Sequence, residues 1–296
     1  MIMTRKNFYG AAVCLCIFLM AFVFMDNGLA FLNLSGLAVV VCGTLGAIFL
    51  SHPYDALIRA FKTCKHIYTT TPPPPASIVQ SLLELSIKSR CHGLLSLEKS
   101  AGKHGVAFLR NGLELLVDGY SQEEIREILS MEMVFFKNRR QQSEVIFRNM
   151  GRIAPSFGVA GSVIGLIGML SGLGDTEIIL QTIPMALTST LYGIVFNQFF
   201  CTPLAESVRG RTNDELLNAS IILEGVLAIR KEQHPRKLEK RLASFLAPAE
   251  RYATTRDFQA IRQKYIRMVR TRHQEETADL SGPSAVTSLH TVPTRS

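Results

Sequence analysis

Acidic side chains, basic side chains and histidine are missing from four long stretches of this 296-residue chain: 8–25, 29–50, 153–173 and 178–201 hold no Asp, Glu, Lys, Arg or His. That absence excludes a proton relay built from this chain alone, because protons crossing lipid are passed between ionisable groups. Lys and Arg are also missing from the short connections 26–28 and 174–177. All 32 of them lie elsewhere: Arg5 and Lys6, the segment 51–152 and the segment 204–296. The six Cys (Cys14, Cys16, Cys42, Cys64, Cys91, Cys201) lack metal-ligand spacing. They read as small buried hydrophobes, kept as thiols in a reducing compartment. No internal repeat is visible, which speaks against a self-sufficient transporter made of two inverted halves. No recognised nucleic-acid motif accompanies the net charge of +8.

What is present is apolar length. Each of the four stretches, as a helix, can cross a hydrocarbon core of about 30 Å. The placement of Lys and Arg puts both termini and both large polar segments in the cytoplasm, with two tight turns outside. The expectation is an all-α integral membrane protein with four transmembrane helices. A large helical cytoplasmic domain lies between spans two and three, and a cytoplasmic helix follows span four. Topology thereby accounts for the basic charge, with membrane lipid rather than nucleic acid as the surroundings. The mean hydropathy of +0.20 is modest because most of the chain lies outside the spans. Arg5-Lys6 before an apolar run also fits a cleavable signal peptide. Cleavage near Ala30 would cut into the second span, so the first is expected to be retained.

The chain divides into spans one and two (1–50), a helical cytoplasmic domain (51–152), spans three and four (153–203), a helical extension (204–250) and a basic helix with a disordered tail (251–296). The Thr/Pro stretch 69–75 is an extended linker. Ile78, Leu82 and Leu85 at helical spacing predict an amphipathic helix over 77–89 that Gly93 breaks. A short helix through Glu98 and another over 106–117 follow. Ser121-Gln122-Glu123-Glu124 is a capping box, opening a helix that continues into span three with a local bend near Pro155. Span four continues as a helix over 204–231, His234-Pro235 breaks it, and 236–246 is one more helix.

Spans one and two are plainly aliphatic and read as lipid-facing wall. Span three carries Gly158, Gly161, Gly165, Gly168 and Gly172 on one face, a stripe that lets another backbone come close along the membrane depth. Span four carries Thr188, Ser189, Thr190, Tyr192 and Asn197, with Ser189, Gly193 and Asn197 sharing a face. Ser162 sits at mid-depth in span three. Hydroxyls of this kind serve as interhelical hydrogen-bond glue or, together, as a polar path. A carboxylate for ion movement must come from another protein.

The segments 154–166 (APSFGVAGSVIGL) and 186–193 (ALTSTLYG) resemble spans three and four of the MotA/PomA family of flagellar motor stator proteins, within the MotA/TolQ/ExbB group of ion-driven motors. The segment 115–119 (LLVDG), the segment 224–229 (EGVLAI) and His234-Pro235-Arg236 also resemble stator motifs, and the likeness covers roughly residues 5–250. The segment 90–98 (RCHGLLSLE) is similar to the charged cytoplasmic segment that meets the rotor protein FliG. By that likeness Arg90 and Glu98, supported by Lys88, contact the rotor. Lys99 departs from the acidic residues that often follow in relatives.

The resemblance further implies an ion path along Pro155, Ser162, Ser189, Thr190 and Pro203, with Gly158, Gly161, Gly165 and Gly168 packed against a partner helix. It implies a ring of identical chains, five in the family, around a MotB/PomB-type partner that brings the aspartate and a peptidoglycan-binding domain. The function implied is that of a stator protein of the inner membrane, not an enzyme, with no cofactor and with H⁺ or Na⁺ as coupling ion. The hydroxyl of Ser162 leans towards Na⁺. The alternative is a TolQ/ExbB-type energiser of outer-membrane processes, a branch that typically has three spans.

Overall fold

A computed structural model describes residues 33–98, 105–171 and 176–248, with scattered positions of the first apolar run and Gln263. Expectations for the first span, the turn 26–28 and the C-terminal tail lie largely outside these residues, while Thr176 and Glu177 of the expected second turn already belong to a helix. The described residues are helical, with no strand among them. In chain order they form α1 (Leu34–Ser51), α2 (Tyr54–Thr69), α3 (Pro75–His92), a 3₁₀ turn (Leu94–Leu97), α4 (Ala107–Val117), α5 (Gln122–Ser171), α6 (Thr176–Val195), a π turn (Phe196–Cys201), α7 (Thr202–Arg230) and α8 (Pro235–Ala243). Two compact units emerge: residues 1–72 with 133–216, and residues 73–132 with 217–296.

In the first unit, Asn33 caps α1: its Oδ1 accepts from the Gly36 N–H at 2.9 Å and from Ser35 Oγ at 2.7 Å. Pro53 ends the helix, because the residue before a proline is held extended, as His52 is at φ −137° and ψ 142°. Among the described residues, two helices are long and apolar enough to cross a membrane, Leu34–Ser51 at mean hydropathy 2.1 and Gln122–Leu170 with an apolar window at 1.8. Span two is not a plain wall, however. Gly36, Val40, Thr44 and Ile48 form a buried stripe on α1, which packs against α6. Four-residue spacing gives a helix one inner face even where every side chain is apolar, so composition alone concealed it.

α2 lays Leu57, Ala60 and Cys64 into a core with Ile146, Phe147, Met150, Ala205 and Val208. The rings of Phe61 and Phe147 meet edge to face at 5.5 Å. Burial pushes the Cys64 thiol up from its ordinary pKa, as suits a cysteine used as a hydrophobe.

The second unit is a helical bundle with a filled apolar core. Pro75 occupies the first turn of α3, where its missing N–H costs nothing, so the helix starts inside the proline stretch. Gly93 stops it at φ +75°. The capping box forms as the sequence predicts: the Ser121 N–H donates to Glu124 Oε2 at 2.8 Å, and the Glu124 N–H donates to Ser121 Oγ at 3.2 Å. Leu82, Leu97, Leu109, Leu113, Leu116, Ile125 and Leu129 are fully buried with Ile221, Ile222 and Val226. Burying each such side chain is worth about 1.5–3 kcal/mol against exposure. Leu82 projects onto Gly225 and Val226 onto Gly112, where any β-carbon would crowd them.

Candidate functional site

The polar residues of α5 and α6, expected as spans three and four, meet inside the first unit. Ser162 Oγ donates to the Ala186 carbonyl at 2.6 Å, with the Gly158 carbonyl at 3.2 Å. Thr190 Oγ1 lies 2.5 Å from Ser162 Oγ and 3.5 Å from the Gly158 carbonyl. Four oxygens, two hydroxyl and two carbonyl, thus converge on one half-buried point between α5 and α6. Ser189, fully buried on the neighbouring flank, donates weakly to the Gly36 carbonyl of α1 at 3.5 Å. Tyr192 ties α6 to the start of α1, its hydroxyl accepting the Asn33 N–H at 2.9 Å. Three of the five expected path residues, Ser162, Ser189 and Thr190, are therefore brought to one seam.

Chemically this seam is all neutral oxygen. Hydroxyls and carbonyls can pass hydrogen bonds or ligate a hard cation, but they cannot take up a proton to become a stored charge at ordinary pH. In the described parts of the four apolar runs the chain supplies no carboxylate.

The glycine stripe was expected against a partner helix; most of it faces α6 of its own chain. A β-carbon on Gly158 would stand 3.0 Å from the Ser189 carbonyl oxygen and 3.1 Å from Thr190 Cα. On Gly161 it would collide with Ser189 Oγ, and on Gly165 it would come within 2.9 Å of Ala186 Cβ. Of these four glycines, Gly168 alone has nothing among the described residues within 4 Å. Periodicity told that a backbone comes close, not which one. The close approach continues inward from α6 and its π turn, Gly193 against Ala154 and Pro155, then Asn197 and Cys201 against Gly151.

Pro155 lies within α5 without ending it. It offers no N–H to the turn before it, a loss that neighbouring helices in membrane proteins commonly absorb. Pro203 sits beyond the π turn, one residue into α7. There the Thr202 N–H reaches back five residues to the Asn197 carbonyl, and Thr202 Oγ1 donates to Asn197 Oδ1 at 3.0 Å. Sequence reading missed the π turn.

The segment expected at the rotor belongs to the second unit. Arg90 is in the last turn of α3 and Glu98 just past the 3₁₀ turn, both exposed, with Lys88 half-buried. Arg90 Nη2 also donates to the Glu232 carbonyl at 3.1 Å, so the guanidinium braces the turn between α7 and α8. Glu232 there holds φ +51°, the one described non-glycine residue with positive φ.

Residues 102–220 match the MotA/TolQ/ExbB proton channel family. Motility protein A of Treponema phagedenis is 32% identical over 84% of this chain and 96% of its own length. Motility protein A of Borreliella burgdorferi is 30% identical over 84% of this chain and 96% of its own length. The flagellar MotAB stator complex from Bacillus subtilis aligns at TM-score 0.77 and 27% identity, covering 85% of this chain and 98% of that one. With near-complete coverage of these relatives and the same helical fold, the chain belongs to the motility protein A branch of the MotA/TolQ/ExbB proton channel family.

Proposed function

We propose that this chain is a stator component of the bacterial flagellar motor, converting H⁺ or Na⁺ flow into torque on the rotor. The observation that carries the reading is the neutral oxygen cluster of Ser162, Thr190 and the Gly158 and Ala186 carbonyls, built into a membrane-spanning pair that lacks a carboxylate of its own. A MotB/PomB-type partner, single-span and anchored to peptidoglycan, supplies that carboxylate. Several copies of this chain, five by family likeness, ring the partner in the inner membrane, with four spans each and both termini in the cytoplasm. The stator structure over which 85% of the chain aligns supports a MotB-type partner. Full-length likeness to proteins named motility protein A disfavours the TolQ/ExbB-type alternative.

In this mechanism an ion neutralises the partner's carboxylate at the seam, which removes a large desolvation cost and lets the ring step. Ser162 and Thr190 hold hydrogen bonds along the approach, Ser189 ties the path to α1, and Pro155 and Pro203 mark where the helices flex. Gly168, open in the single chain, is the member of the stripe left for the partner helix. Lys88, Arg90 and Glu98 then pass complementary charges on FliG.

Expressed alone, the chain should leave cytoplasmic pH and membrane potential unchanged; with an unplugged partner it should leak ions and slow growth. Arg90→Glu and Glu98→Lys should each impair swimming with the complex still in the membrane, and a charge reversal on the rotor should restore part of it. An ion leak from this chain without any partner would refute the two-component mechanism.

A further inference from the structure

Along the seam between α2 and α5 the surface of the first unit is hollowed. Two neighbouring cavities of about 340 and 680 Å³ lie there and share Ala56, Arg59 and Gln142. The smaller one is lined by four cationic side chains, Arg59 and Lys62 from α2 and Arg139 and Arg140 from α5, and no carboxylate lines either cavity. Arg140 is committed: its Nη2 donates to Glu215 Oε2 at 3.0 Å, and its guanidinium carbon stands 5.2 Å from the Phe136 ring centroid. Glu215 also accepts from Arg211 Nε at 2.7 Å. One carboxylate thus answers two guanidinium groups, and net positive charge remains beside the cavity.

Arg59, Lys62 and Arg139 are exposed, and none has an ion pair or side-chain hydrogen bond with any described residue. Like charges gathered on a concave surface repel one another and focus a field that draws an anion in.

The height of the seam narrows the anion. Phe49 and Tyr54 stack at 6.5 Å across the junction of α1 and α2, both more than half exposed. Exposed aromatic rings beside an apolar span gather at the membrane–water boundary. Arg59 lies five residues beyond Tyr54, about 7.5 Å further along the helix. The larger cavity reaches back to His52 and Pro53 at the inner end of α1 and has apolar wall from Val145 and Ile146. A soluble phosphate ester has no use for that wall, whereas glycerol and the first methylenes of an acyl chain do.

We propose that this seam binds the headgroup of an anionic phospholipid of the inner leaflet, with Arg59, Lys62 and Arg139 around the phosphate. The proposal rests on the inner-side placement of α2 under the stator reading, but its readout needs neither ion flow nor motility, so the two fail separately.

The test is the melting midpoint of the complex purified with its partner, titrated with short-chain phosphatidylglycerol, short-chain phosphatidylcholine or glycerol phosphate. Phosphatidylglycerol should raise the midpoint by about 5 °C at a hundredfold excess over half-saturation. The other two ligands should leave it within about a degree. Arg59→Gln combined with Arg139→Gln should abolish the response, Arg59→Lys combined with Arg139→Lys should retain most of it, and Arg110→Gln on α4 should retain all. If the double Gln variant does not assemble, Lys62→Gln alone should weaken the response several-fold. Equal stabilisation by phosphatidylcholine, or a response untouched by these changes, overturns the proposal. Equal stabilisation by glycerol phosphate overturns the lipid as source and identifies a site for free phosphate esters.

Discussion

The second unit and the α5–α6 pair of the first bury their helices by opposite means. In the second, Leu82, Leu113, Leu116 and Val226 fill the space between helices. In the first, α5 and α6 meet through Gly158, Gly161, Gly165, Ala186, Ser189 and Gly193 with almost no side chain between them. The difference is what the proposed topology, with α5 and α6 in lipid and the second unit in water, would produce. In water, apolar area removed from solvent drives association at roughly 25 cal/mol per Å². In lipid that gain vanishes, and what remains is close backbone packing and hydrogen bonds between helices. One chain thus carries two packing codes, and each should break under a different substitution.

The largest effect is expected at Gly158. Its neighbours at 3.0 and 3.1 Å are backbone atoms of Ser189 and Thr190, which cannot rotate away. Gly158→Val should abolish recovery of this chain itself from the membrane, while Gly168→Val, with no described atom within 4 Å, should leave the α5–α6 pair intact and at most loosen the partner. Equal loss of the chain from the membrane in both would mean that the stripe is read wrongly.

Second comes the water-side code. Leu113, fully buried, has no lipid substitute for its cavity. Leu113→Ala should cost about 2–5 kcal/mol and appear as faster proteolysis of the second unit with the membrane part still inserted. Gly-to-Ala changes in exposed helix positions there should do nothing comparable.

Third, the hydroxyl pair should yield less. Intramembrane hydrogen bonds are worth about 0.6 kcal/mol on average and up to roughly 2. Ser162→Ala and Thr190→Val should each lower stability by that order, and their double-mutant cycle should be non-additive because the two oxygens share one contact at 2.5 Å. If Na⁺ is the coupling ion, both changes should also raise the sodium concentration for half-maximal swimming speed. If H⁺ is, neither should create a sodium dependence.

The smallest effect belongs to the exposed capping box. The Ser121 N–H, and then the Ser121 hydroxyl, hold the Glu124 carboxyl below its ordinary 4.5. A depressed folded-state value means that the stabilisation is present above the unfolded value and fades as pH falls through the folded one. Glu124→Gln should flatten that acid-side slope and shift the melting midpoint at neutral pH by only about a degree. A slope unchanged in the variant would assign the acid sensitivity to other carboxylates.

Helix starts and stops were legible because they obey local chemistry. Ser121 and Glu124, Gly93, and Pro235 each stand where the sequence puts them, give or take the residues by which a helix end frays. Membership of the family was legible from the ordered motifs around Pro155 and Thr190. Three features were not. The stripe's partner could not be read, since Gly158 and Ser189 are far apart in sequence and small-residue spacing carries no address. The bracing of the turn at Glu232 by Arg90 depends on a backbone carbonyl that no residue type announces. α2 was passed over because it follows an apolar span directly, although Leu57, Ala60 and Cys64 keep helical spacing.

The π turn has a geometric consequence. Ala154, Gly158, Gly161 and Gly165 on α5 alternate steps of four and three, which a straight helix carries with about 20° of drift per seven residues. On the other strand of the pair, Ser189, Gly193, Asn197, Cys201 and Ala205 keep a step of four throughout. In an ordinary helix each such step would rotate the contact by about 40°, and after four steps the row would point away from α5. The wider turn over Phe196–Cys201 takes up the surplus rotation, much as a leap day realigns a calendar. Asn197 and Cys201 can therefore still sit against Gly151, and Ala205 against the core, at the far end of a row that would otherwise have wound out of register.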